Sequence, residues 1–141
     1  MDMNKLGTVL FLILVFTFSS CQTQVPKGVK VAFEEKYAGE KHSKWEVDRN
    51  GNYESHFKKD GKEYRADFSP EGEWIETERS IKKKDLPKIV REILKADYDD
   101  YKIVELEETQ HHSKGLFYDV ELKKDGKKQD VEFNKEGEIL N

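Results

Sequence analysis

The side chains of this sequence that are able to do chemistry are one cysteine, four histidines and 29 carboxylates. Cys21 is the only thiol, so no disulfide closes within the chain and no Cys-rich zinc site can form. His111-His112 stands close to Glu107-Glu108, and imidazole with carboxylate is a donor set that Zn²⁺ accepts. Neighbouring residues on a strand point to opposite faces, however, so the two imidazoles converge only if the segment is a loop. Nothing in the sequence fixes a third ligand there. His42 and His56 stand alone and read as surface residues. The carboxylates lack the spacing of an EF-hand, and acid–base pairs cannot be told from a charged sheet face by sequence. A nucleophile elbow, a P-loop, a His-Glu-x-x-His helix and a Gly-x-Gly-x-x-Gly turn are all missing. The expectation is a protein that is not an enzyme and holds neither cofactor nor metal.

The spacing of the carboxylates says more than their identity. Glu46 lies between Trp45 and Val47, Glu54 and His56 between Tyr53, Ser55 and Phe57, and Glu63, Arg65 and Asp67 beside Tyr64, Ala66 and Phe68. Further on, Glu105 lies between the inward Val104 and Leu106, Asp119 and Glu121 alternate with Tyr118, Val120 and Leu122, and Asp130 and Glu132 with Val131 and Phe133, the series ending at Ile139. Strict period-2 alternation predicts antiparallel strands with one face buried and one in water. Asn50-Gly51, Asp60-Gly61 and Asp125-Gly126 mark hairpin turns. Two helices supply the cover. One opens at Pro26 and carries Val29, Ala32, Phe33 and Tyr37; the other opens at Pro87 and carries Leu86, Ile89, Val90, Ile93, Leu94 and Tyr98.

Laying one half over the other gives a repeat. Pro26-Lys27 and Tyr37 match Pro87-Lys88 and Tyr98 at an offset of 61. Lys58-Lys59-Asp60-Gly61-Lys62 then matches Lys123-Lys124-Asp125-Gly126-Lys127 at an offset of 65, as do Phe68 with Phe133 and Glu71-Gly72-Glu73 with Glu136-Gly137-Glu138. The shift of four places an insertion around His111-His112-Ser113-Lys114-Gly115, read as a recognition loop because inserted loops often carry function. The predicted fold is α+β: a tandem duplication of a helix plus a four-stranded antiparallel unit. Repeat one spans 25–79 and repeat two 85–141, with the helices on one face of a roughly eight-stranded sheet.

Composition agrees with a small fold that has one wet face. The chain is 38% charged and 35% hydrophobic, with 11% aromatic residues and a net charge of −4. Aromatic content at that level argues against disorder, and an acidic balance excludes general nucleic-acid binding. Outward positions on the predicted strands also include Lys44, Asp48, Lys58, Glu73, Glu105, Glu107, Lys123, Lys128 and Glu138. Together they collect thirteen acids against five bases, so the open face is more acidic than the chain. Such a face attracts a cationic partner.

The N-terminus reads as a processed segment. Lys5 precedes the apolar run Val9–Phe18, which is too short for the roughly 20 residues that a membrane-spanning helix needs. Ser19-Ser20 and then Cys21 follow it. A short apolar stretch with a basic residue before it and small residues after it is a secretory signal. Phe18-Ser19-Ser20-Cys21 resembles the lipobox of bacterial lipoproteins, which implies that 1–20 is removed and Cys21 lipidated. Phe18 stands where that pattern usually has Leu. Residues 21–24 would then be a short tether, and Gln22 after the cysteine points to the outer membrane, facing the periplasm.

The tandem units, the Leu86-Pro87 helix start and the repeated Lys-Asp-Gly-Lys hairpins resemble the PepSY-like family of secreted bacterial proteins, similar in fold to the β-lactamase inhibitor protein. The resemblance covers residues 25–141 and implies an envelope protein that binds something; no functional residue carries over from it. The expected function is a monomeric protein-binding or inhibitor-like module that captures an envelope protein or a cationic ligand. Its candidate contact residues are Glu46, Glu54, His56, Glu63, Arg65, Asp67, Asp119, Glu121, Asp130, Glu132, His111 and His112, with the membrane reached through Cys21. The alternatives are a structural part of an outer-membrane assembly complex and a small-ligand or metal sensor.

Overall fold

The structure is a computed structural model that describes residues 24–141. The expected signal segment 1–20 and the lipid attachment at Cys21 fall outside the described residues. Helix α1 (Lys27–Lys36) is followed by β1 (His42–Val47), β2 (Tyr53–Lys59), β3 (Lys62–Phe68) and β4 (Trp74–Ser80). After a short 3-10 turn come α2 (Lys88–Asp97), β5 (Lys102–His111), β6 (Gly115–Lys124) and β7 (Lys127–Phe133). All seven strands form one sheet in chain order, and every pairing is antiparallel.

The α+β class is as the alternation predicts, but the sheet has seven strands where about eight were expected. The difference lies at the end of the second half. Past the Gly137 turn the chain makes one bridge, Phe133 to Ile139, and is otherwise held to β7 by Leu140 N–H on the Glu132 carbonyl and by the Asn141 side chain, which accepts from Glu132 N–H and donates to the Asp130 carbonyl. Ile139 stays half exposed, so it has no buried face on which to anchor a strand.

Turn chemistry sets the register. Asp60-Gly61 and Asp125-Gly126 both have positive φ at each residue (50° and 73°, 49° and 79°). Those angles belong to a two-residue turn whose twist matches the flanking strands, and they keep β2–β3 and β6–β7 aligned without slippage.

Both helices lie on the same side of the sheet. Under α1, Val29, Phe33 and Tyr37 pack on Phe57, Ala66 and Phe68. Under α2, Leu86, Val90 and Leu94 pack on Leu106, Tyr118, Val120, Leu122, Val131 and Phe133. The pairings Ala66–Thr77 and Thr77–Gln110 carry that covered side across the boundary between the halves. Burying a side chain such as Phe33 stabilises by about 1.5–3 kcal/mol, and these two clusters hold the sheet against its helices.

Four residues assigned inward by spacing are exposed: Val47, Ile89, Val104 and Ile139. Val104 has a clear cause. A bulge between Ile103 and Glu105 inserts one unpaired residue, so Ile103 and Leu106 both face the helix and Val104 does not. The insertion near His111 also differs from a loop. It lengthens β5 and β6 to ten residues each, against six and seven in β1 and β2, and closes with a tight turn at 112–114.

Candidate functional site

No helix among the described residues covers the other side of the sheet, and strand register fixes which residues share it. Reading across the pairings, Glu46, Glu54, Asp67, Glu76 and His111 form one row over five strands. The next row is Lys44, His56, Arg65, Glu78, Thr109 and Phe117. Glu107, Asp119 and Glu132 form a third, and Glu105, Glu121 and Asp130 a fourth. Three of these rows therefore set carboxylates directly opposite one another on neighbouring strands. Like charges in that position destabilise a sheet.

Some of the charge is compensated. Arg65 Nη2 lies 2.6 Å from Glu78 and 2.5 Å from Glu107, bridging two rows at the middle of the face. Lys44 pairs with Glu46 at 2.6 Å, Lys114 with Glu132 at 2.6 Å and Lys128 with Glu121 at 2.7 Å, all near the rim. Glu63 meets Lys58 at 3.1 Å in full solvent. Asp67, Glu76 and Asp119 have no ion pair among the described residues. One carboxylate oxygen each of Asp67 and Asp119 is buried without a hydrogen-bond partner, and so is the hydroxyl of the buried Thr109.

The electrostatic result is a set of carboxyls that resist ionisation. Burial, then the Glu54 and Glu78 charges, push Asp67 up to about 7. Burial and Glu78 take Glu76 to about 7. Glu107 reaches about 7 through burial and Glu78, with Arg65 opposing. Asp119 reaches about 6 through burial and the carboxylates of Asp130 and Glu132. Glu78 is also raised, chiefly by burial, against the pull of Arg65.

The structure sorts the sequence candidates. Glu46, Glu54, His56, Arg65, Asp67, Asp119, Glu121, Asp130 and Glu132 all lie in the rows, with Glu63 at their solvent edge. His56 is not isolated, because its Nε2 lies 2.6 Å from Glu54 Oε1 and 3.0 Å from Glu46 Oε2. His111 at the end of β5 and His112 in the tight turn have ring centroids 4.5 Å apart and planes tilted by 34°. The Nδ1 of His111 accepts backbone N–H bonds from Ser113 (3.1 Å) and Lys114 (3.2 Å), so this nitrogen closes the turn. Burial, His112 and Lys114 hold His111 below its ordinary value. Glu108 is on the helix side, paired with Arg79 at 2.8 Å, and Glu107 stands two rows along β5 from His111, so neither carboxylate joins the histidines.

Sequence reasoning missed Glu76, Glu78, Thr109 and Phe117. The first two lie inside repeat one, on a last short strand read from Trp74 alone, although Trp74-Ile75-Glu76-Thr77-Glu78-Arg79-Ser80 alternates over its whole length. Phe117 is apolar yet sits on the open side, buried beneath the face's own side chains, with Lys114 Nζ 5.2 Å from its ring. A recess of about 570 Å³ is lined by Lys41 and His42 together with His56, Arg65, Glu78 and Glu107. The unpaired carboxylates of the rows are able to receive positive charge, whereas the recess is lined by Lys41, Lys58, Arg65 and Arg79 against Glu63, Glu78 and Glu107.

Comparison with known proteins adds the fold's relatives. The family model described as “Putative beta-lactamase-inhibitor-like, PepSY-like” matches residues 18–64 and 52–141. A DUF2874 family protein from Bacteroides uniformis superposes with a TM-score of 0.74 at 19% identity, covering 84% of this chain and 88% of its own. A BLIP-like protein from Bacteroides fragilis gives 0.72 at 20% identity and 86% of both chains. A structure from Bacteroides eggerthii, described as “putative periplasmic proteins”, gives 0.68 at 21%, covering 84% and 88%. At these identities the likeness is one of fold. None of the curated proteins matches the chain.

Proposed function

We propose a binding role for this chain, which belongs to the PepSY-like family: its open sheet face captures an envelope protein that presents cationic side chains, without catalysing a reaction. The observation that carries the reading is the set of opposed carboxylate rows. Nothing about folding calls for Glu54, Asp67 and Glu76 to face one another on adjacent strands, and the arrangement costs stability. Residues that violate a local rule are where function is to be sought. An incoming guanidinium or ammonium group would meet Asp67, Glu76 and Asp119 without having to break an ion pair among the described residues. Family members and neighbours described as beta-lactamase-inhibitor-like or BLIP-like support a protein as the ligand class.

Anchoring at Cys21, with 1–20 removed and 21–24 as tether, belongs to the same reading, as does the outer-membrane location. It is supported by the Phe18-Ser19-Ser20-Cys21 sequence and by the periplasmic description of one neighbour. No helix among the described residues is long and apolar enough to cross a membrane. The duplication into 25–79 and 85–141 is supported by the matching Asp-Gly turns at 60–61 and 125–126.

The test is cross-linking in native envelopes with the full-length protein and with a triple variant, Glu54→Lys, Asp67→Lys and Glu76→Lys. Loss of a specific cross-linked partner in the variant, with folding preserved, is the expected result. Capture of the same partner at the same yield would place binding elsewhere.

A further inference from the structure

We propose that Glu46, Glu54 and His56 form a Zn²⁺ site at the rim of the open face, where β1 pairs with β2. The inference does not depend on the partner-binding reading. Register brings the ligands together: Glu46 and Glu54 are directly opposed, and His56 is two residues along β2 on the same face. One donor atom from each lies within 4.8 Å of the other two. Both carboxylates aim at a single atom, since His56 Nε2 is 3.0 Å from Glu46 Oε2 and 2.6 Å from Glu54 Oε1.

That convergence is poorly served by a proton. A ring nitrogen carries at most one hydrogen, so Nε2 cannot give a full bond to two carboxylates, and a neutral imidazole with its proton on Nδ1 gives none. A dication at the point where the three atoms converge would satisfy all of them together. Zinc ligand bonds of about 2.0–2.2 Å place tetrahedral ligand atoms about 3.3–3.5 Å apart. The two distances from His56 to the carboxylates therefore have to open by less than about 1 Å, within reach of ordinary rotamer adjustment.

The surroundings favour a cation over a lone ion pair. Directly across from Glu54 on β3 is Asp67, whose buried carboxylate oxygen has no hydrogen-bond partner. Arg65, the cation nearest to His56 on β3, is turned to Glu78 and Glu107. Among the described residues Lys44 is the competitor, and it holds the other oxygen of Glu46. The half-exposed Glu46 leaves a side open for water as the fourth ligand. An imidazole nitrogen among three donors selects zinc over Ca²⁺ and Mg²⁺, which take oxygen ligands in larger number.

The experiment is titration of Zn²⁺ into the full chain in detergent, carrying Cys21→Ser so that the thiol does not compete, followed by calorimetry and by thermal unfolding. One equivalent should bind and raise the unfolding midpoint, while Ca²⁺ and Mg²⁺ do neither. His56→Ala should weaken binding by about tenfold or more and abolish the midpoint shift. Lys44→Ala should tighten binding by removing the competitor. If His56→Ala fails to fold, Glu54→Gln reads the same loss. Absence of a zinc heat, unchanged affinity in these ligand variants, or loss on His111→Ala instead would each overturn the proposal.

Discussion

The half built on α1 has four strands and the half built on α2 three, and the two fill their cores with different matter. Under α1 the core is aromatic: the Phe33 ring lies 5.1 Å from Tyr37, 5.3 Å from Phe57, 5.7 Å from Trp45 and 6.3 Å from Phe68. Under α2 it is mostly aliphatic, with Leu86, Val90, Leu94, Leu106, Val120, Leu122 and Val131 around Phe133. Cores accept such exchanges when total volume is kept, so the covered side tells little about purpose. On the open side the halves agree. The first places Glu54, Asp67 and Glu76 in a row, and the second places Glu107, Asp119 and Glu132 in one. What the halves share is the part that costs stability, and that is the part a binding role accounts for.

The contrast in cores breaks most visibly at Phe33. One ring at 1% exposure joins most of the first core, so Phe33→Ala should cost about 3–5 kcal/mol in urea unfolding. Leu94→Ala, among aliphatic neighbours that can partly collapse into the gap, should fall near the lower end of about 2–5 kcal/mol. Equal losses would show that the aromatic hub carries no special weight.

The turns that return each half to its helix give a smaller and sharper comparison. Gly72 and Gly137 both have positive φ, 91° and 87°, so alanine is strained in either place. At Gly72 the new methyl would sit 3.1 Å from the Gly28 carbonyl oxygen, which is helix backbone. At Gly137 it would sit 2.7 Å from Ile93 Cδ1, the far end of a side chain able to rotate away. Gly72→Ala should therefore cost about 2–3 kcal/mol and Gly137→Ala about 1–2 kcal/mol, measured by the same unfolding series. The reverse order would mean that α1 shifts more readily than the Ile93 side chain.

How far the sequence reaches depends on whether a feature is local. Alternation at Tyr53–Phe57 and Tyr118–Leu122 identifies strands and faces because period two is written residue by residue. The Asp-Gly turns are legible for the same reason. Val104 is misassigned because a bulge changes parity, and one extra residue in a strand leaves no mark in an alternating pattern. The recognition loop expected near His111 is a strand extension, since the same insertion can lengthen a hairpin or loosen it. At the site the acids were legible one strand at a time, whereas their rows were not. That Glu46 and Glu54 meet at His56, or that Arg65 joins Glu78 to Glu107, depends on register between strands.

Titration separates the open faces of the two halves. Asp67 in the first is pushed up to about 7 and Asp119 in the second to about 6, against about 3.9 for an unfolded aspartate. A carboxyl whose folded value is raised contributes stability that is complete below the unfolded value and is lost as pH climbs through the folded one. The protein should accordingly lose stability between about pH 4 and pH 7, with Asp119 completing its share near pH 6 and Asp67 near pH 7. Asp67→Asn removes the ionising group and keeps its shape. Allowing for water's screening at a half-buried position, it should stabilise by about 1–2 kcal/mol at pH 8 and by almost nothing at pH 4. Asp119→Asn should show the same sign, a smaller gain, and a window that closes about one pH unit lower. Denaturant unfolding at half-unit pH steps reads both. A gain for Asp67→Asn that is equal at pH 4 and pH 8 would mean that packing, and not charge, sets the effect. The row Glu54–Asp67–Glu76 would then lose its claim to be held under electrostatic strain.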